Sequence, residues 1–305
     1  MSDLATTERN GHTLDLLTVN DLRIEVSRLG AELVSLARCN PAGQWTGYLV
    51  RDADVGKNPH GWNNHSTVMG YYVHRILNEK TFYHGHEVRG GTHSFLRHKI
   101  FPAPTVGEGS LTYHFSGEDR GVGEYPYRVD FSLTYALRDG VLHISFHFSN
   151  RENFATHVSF GLHPGFGVTD LATMRVVLPA GRYTRHLAPG NFLNGETEII
   201  DFPGGPMPFP VAELPGSFLL DLAEVPDRIF TLEDPATGRK TILDYSEVPY
   251  LTLWSDGNAI NPFICIEPCW GLPDHHVQRP FEEKTGIQLI PPLAILERSF
   301  TICPS

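Results

Sequence analysis

Charge is scarce in this chain: lysine, arginine, aspartate and glutamate together make up 19% of its 305 residues. That is too little for a coiled coil or a disordered polymer. The charge that exists is acidic, −11 net with no Lys/Arg-rich block. Neither nucleic acid nor an anionic membrane surface is therefore an expected partner. Long apolar runs are missing as well. No window is apolar for long enough to span a bilayer, and the polar stretch Met1 to His12 lacks the apolar centre of a signal peptide. The expected compartment is cytoplasmic. Cysteine is sparse: Cys39, Cys265, Cys269 and Cys303 are scattered in the manner of a reduced cytosolic protein rather than a disulfide scaffold. Cys265 and Cys269 are close in sequence, but no matching Cys/His pair stands at structural-zinc spacing.

Helical periodicity is also hard to find, and alternation takes its place. Arg128 to Tyr135 and Leu142 to Phe148 alternate apolar and polar residues, many of them β-branched or aromatic, which is the pattern of half-buried strands. Gly140 and the Ser149-Asn150 pair stand where turns are needed. The 29 glycines and 23 prolines punctuate short strands, as in a sandwich or barrel. With 41% apolar residues a sizeable core can be buried. No internal repeat or low-complexity segment interrupts the chain. Pro189 to Pro215, rich in Pro and Gly, reads as a long surface excursion, because strand-like sequence resumes after it without a change in composition. The expectation is an all-β chain with a single domain over residues 13–305, preceded by a loose tail over residues 1–12.

Three segments carry titratable groups in suggestive places. In Thr156 to Gly165, THVSFGLHPG, a strand puts Val158, Phe160 and Leu162 on one face and His157, Ser159, Gly161 and His163 on the other. His163 immediately precedes Pro164, where the strand is expected to end, so its ring can reach into a cavity; a hydrogen-bonded structural histidine fits the same pattern. In Phe263 to Asp274, FICIEPCWGLPD, Ile264 and Ile266 face one way and Phe263, Cys265 and Glu267 the other. A carboxylate among Phe, Cys and Trp270 is desolvated, and needs a partner or a raised pKa. That environment suits a general acid or base, or else a structural ion pair. In Gly90 to His98, GGTHSFLRH, two glycines allow a tight turn and His93 and Arg97 flank Phe95-Leu96. Either can bind a sugar hydroxyl or a phosphate, and either can be a solvated loop edge. Arg75 follows the aromatic run Gly70-Tyr71-Tyr72-Val73-His74.

In this order, the segments resemble the aldose 1-epimerase (galactose mutarotase-like) superfamily, from about Gly30-Ala31-Glu32-Leu33 to about Leu293. IEPCWGLPD is similar to the glutamate motif of its LacX-like and hexose-6-phosphate mutarotase branches. His93-Ser94-Phe95-Leu96-Arg97 matches a first histidine motif, and Ser159 to Pro164 a second. Ser94 stands where glycine is usual, and His98 where a small acidic or amide residue is common. The resemblance implies a galactose mutarotase-like β-sandwich (supersandwich) with an open, sugar-binding concave face. It implies Glu267 as base on the C1 hydroxyl and His163 as acid on the ring oxygen. His93, Arg75 and Asp227 become binders of the sugar, with Asp221 and Asp234 as competitors for the place of Asp227. Arg97 and Trp270 join the candidate binders; Trp270 can stack on the sugar or belong to the core.

On this reading the protein interconverts sugar anomers with no metal and no other cofactor, as a monomer or homodimer whose partner is a small sugar. A hexose 6-phosphate is the next substrate class, since Arg75, Arg97, Lys99 and Arg89 are available to an anion. Three other readings stay open: a carbohydrate-binding protein of the same fold without activity, a sandwich domain of an oligosaccharide lyase or hydrolase, and a cupin-like metalloenzyme. The last is suggested by His84-Gly85-His86-Glu87 followed by His93, because an HxH pair on a strand points both rings the same way.

Overall fold

Two-residue turns set much of the strand pairing. Asn10-Gly11, His84-Gly85 and Asp139-Gly140 all have positive φ at both positions and close hairpins in which Arg9 faces His12, Tyr83 faces His86 and Arg138 faces Val141. Mirror-type turns of this kind match the right-handed twist of the strands they join, and Asn-Gly and Asp-Gly tolerate the left-handed backbone. In the computed structural model, which describes residues 2–208 and 211–305, strands dominate, with a few 3-10 turns and no α-helix among the described residues. No helix among them is long and apolar enough to cross a membrane.

The first turn corrects one expectation. Ser2–Arg9 is not a loose tail: it is a strand paired along its whole length with His12–Val19. Thr6 donates to Asp15 at 2.9 Å and Arg9 pairs with Glu25 at 2.9 Å. Local composition looked tail-like, but the Asn10-Gly11 turn brings the segment back onto a five-stranded sheet that runs to Trp45–Gly47.

The all-β supersandwich is as expected. A nine-stranded sheet, containing Val129–Arg138, Val141–Asn150 and Ile295–Pro304, packs against an eight-stranded sheet containing Tyr250–Trp254, Phe263–Trp270 and Thr156–Gly167. Ser66–Tyr71 pairs with the free part of the Thr156–Gly167 edge. Alternation decides which side chains meet. Phe146 and Phe148 from one sheet lie 5.3 and 4.7 Å from the Phe160 ring of the other. Trp270 stacks on Phe160 at 5.0 Å and 16°. Each such buried side chain contributes about 1.5–3 kcal/mol.

The opposite face of the eight-stranded sheet carries His163, Phe263, Cys265, Glu267 and Cys269. The strand expected to end before Pro164 runs on to Gly167, and Phe263–Trp270 likewise runs through Pro268. The two strands pair at Gly161 with Cys269 and again at Gly165 with Cys265, with the ladder open between. Pro164 and Pro268, which have no N–H to donate, lie in that gap. The strands stay aligned because the rows on both sides hold them. Gly161 is required there: a Cβ on it would sit 2.4 Å from the Pro268 carbonyl oxygen. The Pro189 to Pro215 segment is an excursion only in part, since it contains an edge strand, Thr197–Phe202, paired with Gly181–His186.

Candidate active site

The register across the gap places His163 opposite Glu267. Their side chains meet, His163 Nε2 lying 3.2 Å from Glu267 Oε1, and both are almost wholly buried. Among the described residues, Glu267 Oε2 and His163 Nδ1 have no hydrogen-bond partner. Above the pair opens a cavity of about 550 Å³, lined among others by Thr67, His74, Arg75, His93, Arg97 and Trp254. That is ample room for a sugar ring.

Two further histidines form the floor. The His74 backbone N–H donates to His93 Nδ1 at 3.0 Å, and the His93 N–H donates to the His74 carbonyl at 2.7 Å. Nδ1 of His93 is therefore an acceptor, and its proton sits on Nε2. This arrangement requires left-handed backbone at His74 (φ +55), His93 (+64) and Ser94 (+62). Strain of that sort is held only by surrounding structure and is concentrated at sites. His74 Nε2 lies 3.3 Å from the Thr252 hydroxyl, and Thr252 is the cross-strand neighbour of Glu267.

Aromatic walls enclose the pair. Trp62 is tilted over the His163 ring at 4.9 Å, Trp254 meets it edge-on at 5.4 Å, and Phe263 stacks behind Trp62 at 5.2 Å. Asn64, with its amide oriented to satisfy both donors, accepts from Trp62 Nε1 at 3.2 Å and Arg97 Nη2 at 2.9 Å. Arg97 is further steadied by the charge of Glu32, itself held by the backbone N–H groups of His65 and Ser66. Gly30 lies directly beneath: its φ is +73, and a Cβ there would come within 2.9 Å of the Arg97 carbonyl oxygen.

Burial governs the electrostatics. It pushes the Glu267 carboxyl well above its ordinary range, and His163 and His74 down to about 3. His93 also lies well below the usual imidazole value, through burial and then the neighbouring His163 and His74. In a desolvated floor the charged form of each group is penalised. Both shifts favour the neutral forms of the His163–Glu267 pair, a carboxylic acid beside a neutral imidazole.

A sequence profile of the aldose 1-epimerase family matches residues 15–292. The chain belongs to the aldose 1-epimerase family. The plasmid-encoded LacX protein of Lactococcus lactis is 24% identical over 265 residues, covering 80% of this chain and 87% of LacX. Among solved structures, a galactose mutarotase related enzyme from Lactobacillus acidophilus superposes with a TM-score of 0.82 at 19% identity, covering 99% of this chain and 97% of that one. A galactose mutarotase-like protein from Lactobacillus casei gives 0.80 at 22%, covering 99% and 100%.

Most of the residues that the family resemblance singled out converge. His163, Glu267, His93, Arg75 and Arg97 all line the cavity. Two do not. Asp227 is exposed in the turn after Phe218–Glu224, away from the cavity. Its competitors are also elsewhere: Asp221 accepts from the Ala223 N–H, and Asp234 is tied to Thr169 and Arg239. The polar groups on that side of the cavity are Asn191 and Ser217 instead. Trp270 belongs to the core, 1% exposed, because its even position on the strand points it at Phe160 rather than the cavity.

Trp62 and Trp254 escaped sequence reading. Trp254 was within reach of it, since the alternation of Leu251 to Trp254 places it on the same face as Thr252. Trp62 sits in a loop, where no periodicity exists to read. The HxH reading fails on geometry: His84 occupies the hairpin turn, His84 and His86 are both exposed, and His93 is buried in the cavity. The sets of side chains close enough to share a metal ion among the described residues centre on Glu267.

Proposed function

We propose that this chain is an aldose mutarotase, which interconverts the α and β anomers of a free aldose or a close derivative by acid–base ring opening. The observation that carries this reading is the 3.2 Å contact between His163 and Glu267 at the floor of a cavity that can admit a sugar ring. Opening the ring requires a proton to leave the C1 hydroxyl and another to reach the ring oxygen. Both oxygens are bonded to C1, so the base and the acid that serve them must themselves be neighbours.

The unpartnered Glu267 Oε2 is free to accept from the C1 hydroxyl. That hydrogen bond favours the carboxylate and moves the shared proton to His163 Nε2, from which the ring oxygen takes it. The C1–C2 bond of the open aldehyde rotates, and closure reverses the two transfers. His93, whose Nε2–H faces the same floor, donates to an oxygen near C1. Arg75 and Arg97 hold the other hydroxyls, and Trp62 and Trp254 cover the apolar face of the ring. Positioned acid and base groups supply about 10²–10⁴-fold each.

A free sugar is favoured over a hexose 6-phosphate by the fate of the cations. Lys99 pairs with Glu124 at 2.7 Å and Arg89 with Glu87, and neither lines the cavity. Arg97 already donates to Asn64, so of these four cations Arg75 alone has no side-chain hydrogen bond or ion pair among the described residues. The test is NMR or polarimetry of freshly dissolved single anomers of several aldoses and aldose 6-phosphates, with and without protein. Catalysed exchange of free aldoses is expected. Binding without acceleration would identify a non-catalytic sugar-binding protein, and acceleration confined to phosphates would overturn the substrate class.

A further inference from the structure

We propose that His74, Glu267 and Cys269 form a site for a thiophilic divalent ion of the zinc class, and that its occupation shuts off the sugar chemistry. Ligand atoms of these three buried residues lie within 4.8 Å of one another. His74 Nε2 and Cys269 Sγ are 4.0 Å apart. Ligand bonds of 2.0–2.3 Å in a tetrahedron separate ligand atoms by about 3.5 Å, so small side-chain adjustments close the site. Alternation on Phe263–Trp270 puts the Glu267 carboxylate and the Cys269 thiol on one face, and Glu267 Oε2 is buried without a partner.

The chemistry of the set suits such an ion. One thiolate and one carboxylate cancel a double positive charge, and a neutral imidazole completes a mixed N/S/O set. The site therefore stays neutral in a desolvated floor. On binding, the thiol and the carboxyl release their protons to solvent, two per ion. His74 and Glu267 line the cavity, so the fourth position opens to water. The Thr252 hydroxyl, 3.7 Å from Cys269 Sγ, can donate to the thiolate, while its 3.3 Å contact with His74 Nε2 gives way when that nitrogen takes the ion. A second set, His163, Cys265 and Glu267, shares the carboxylate. Both thiols are buried beside apolar side chains, but in this second set the His163–Glu267 contact already occupies the imidazole. Cys269 is thus the thiol that serves the ion.

The inhibitory half of the proposal rests on the mutarotase reading, since an ion on Glu267 takes the lone pair that would accept the C1 hydroxyl proton. The binding half does not, and the test separates them. The protein is titrated with Co²⁺, read by the near-ultraviolet thiolate-to-cobalt band, and with Zn²⁺ by calorimetry. One ion per chain is expected. Loss of an outer-shell partner alone costs about 10–100-fold in affinity, so Cys269→Ser should abolish the band and weaken Zn²⁺ by at least that much. Cys265→Ser should keep both. Should Cys269→Ser not fold, Cys269→Ala gives the same reading, with circular dichroism as the check. No band in the wild type, or a band lost in Cys265→Ser and kept in Cys269→Ser, overturns the site. Zn²⁺ should slow anomer exchange and a chelator restore it. A band that depends on Cys269 in a protein that accelerates no exchange leaves the ion site standing and removes the mutarotase reading instead.

Discussion

His163 Nε2 and Glu267 Oε1 lie 3.2 Å apart across two neighbouring antiparallel strands, at a place where two prolines leave the ladder open. An acid and a base in direct contact share one proton. The chemistry proposed here is a shift of that proton from one partner to the other when a sugar hydroxyl arrives.

Glu267→Gln keeps the shape and one accepting oxygen but removes the base. Sugar affinity should largely persist, while exchange between anomers, followed by NMR, should slow by about 10²-fold or more. His163→Asn should cost a similar factor. The double variant should be little slower than either single one, because the two groups act as a unit. A Glu267→Gln protein as fast as wild type would end this mechanism.

The pH dependence should be a broad bell. Activity needs the pair to hold one proton. Burial lowers His163 to about 3 and raises Glu267. A second proton is therefore taken up only well below the ordinary imidazole range, and the single proton is lost only well above the ordinary carboxylate range. The acid limb belongs to the imidazole and the alkaline limb to the carboxyl, with apparent values that describe the pair. A profile of kcat/KM that stays flat wherever the protein remains folded would contradict this.

The same carboxyl should cost stability. Its folded pKa is raised above the unfolded value of 4.5, so its contribution is fully present below pH 4.5 and is lost as pH rises through the folded pKa. Glu267→Gln has nothing to ionise. Thermal melts should show the variant more stable than wild type at pH 7, by about 1 kcal/mol or more, with the advantage vanishing towards pH 4. An advantage independent of pH would point to packing instead.

Two tryptophans should respond in opposite ways. Trp62 walls the cavity while Trp270 fills the core. Trp62→Ala should raise KM several-fold, equivalent to about 1 kcal/mol of ring contact. Trp270→Ala should lose about 3–5 kcal/mol of stability. Denaturant titration beside steady-state kinetics distinguishes the two, and a stability loss for Trp62→Ala as large as that for Trp270→Ala would refute the assignment.

Ser94 holds a left-handed backbone, φ +62, that favours glycine. Ser94→Gly should raise stability by about 1 kcal/mol, measured by chemical denaturation. Destabilisation would mean that the buried serine side chain matters more to packing than the backbone strain does.

Much of this molecule could be read along the chain. Period-two alternation marked the strands of both sheets, and the same alternation put His163 and Glu267 on faces opposite the core residues Phe160 and Ile266. Resemblance in motif order then identified the two as partners. Pro164 misleads in one respect: it reads as a strand end, whereas the neighbouring rows hold the strand through the gap. The Asn10-Gly11 turn was equally available but passed over, and with it the first strand.

What the sequence determined by itself is periodic and local: the β class, the hairpin turns, and the face on which each strand residue lies. Tertiary structure decided which parts of distant loops meet. It brought Trp62, Asn64 and Asn191 to the cavity, sent Trp270 to the core, left Asp227 outside, and set His74 beside Cys269. The reason is physical. A strand repeats every two residues and declares its faces, but a loop has no period, and its position depends on contacts with residues far away in the chain.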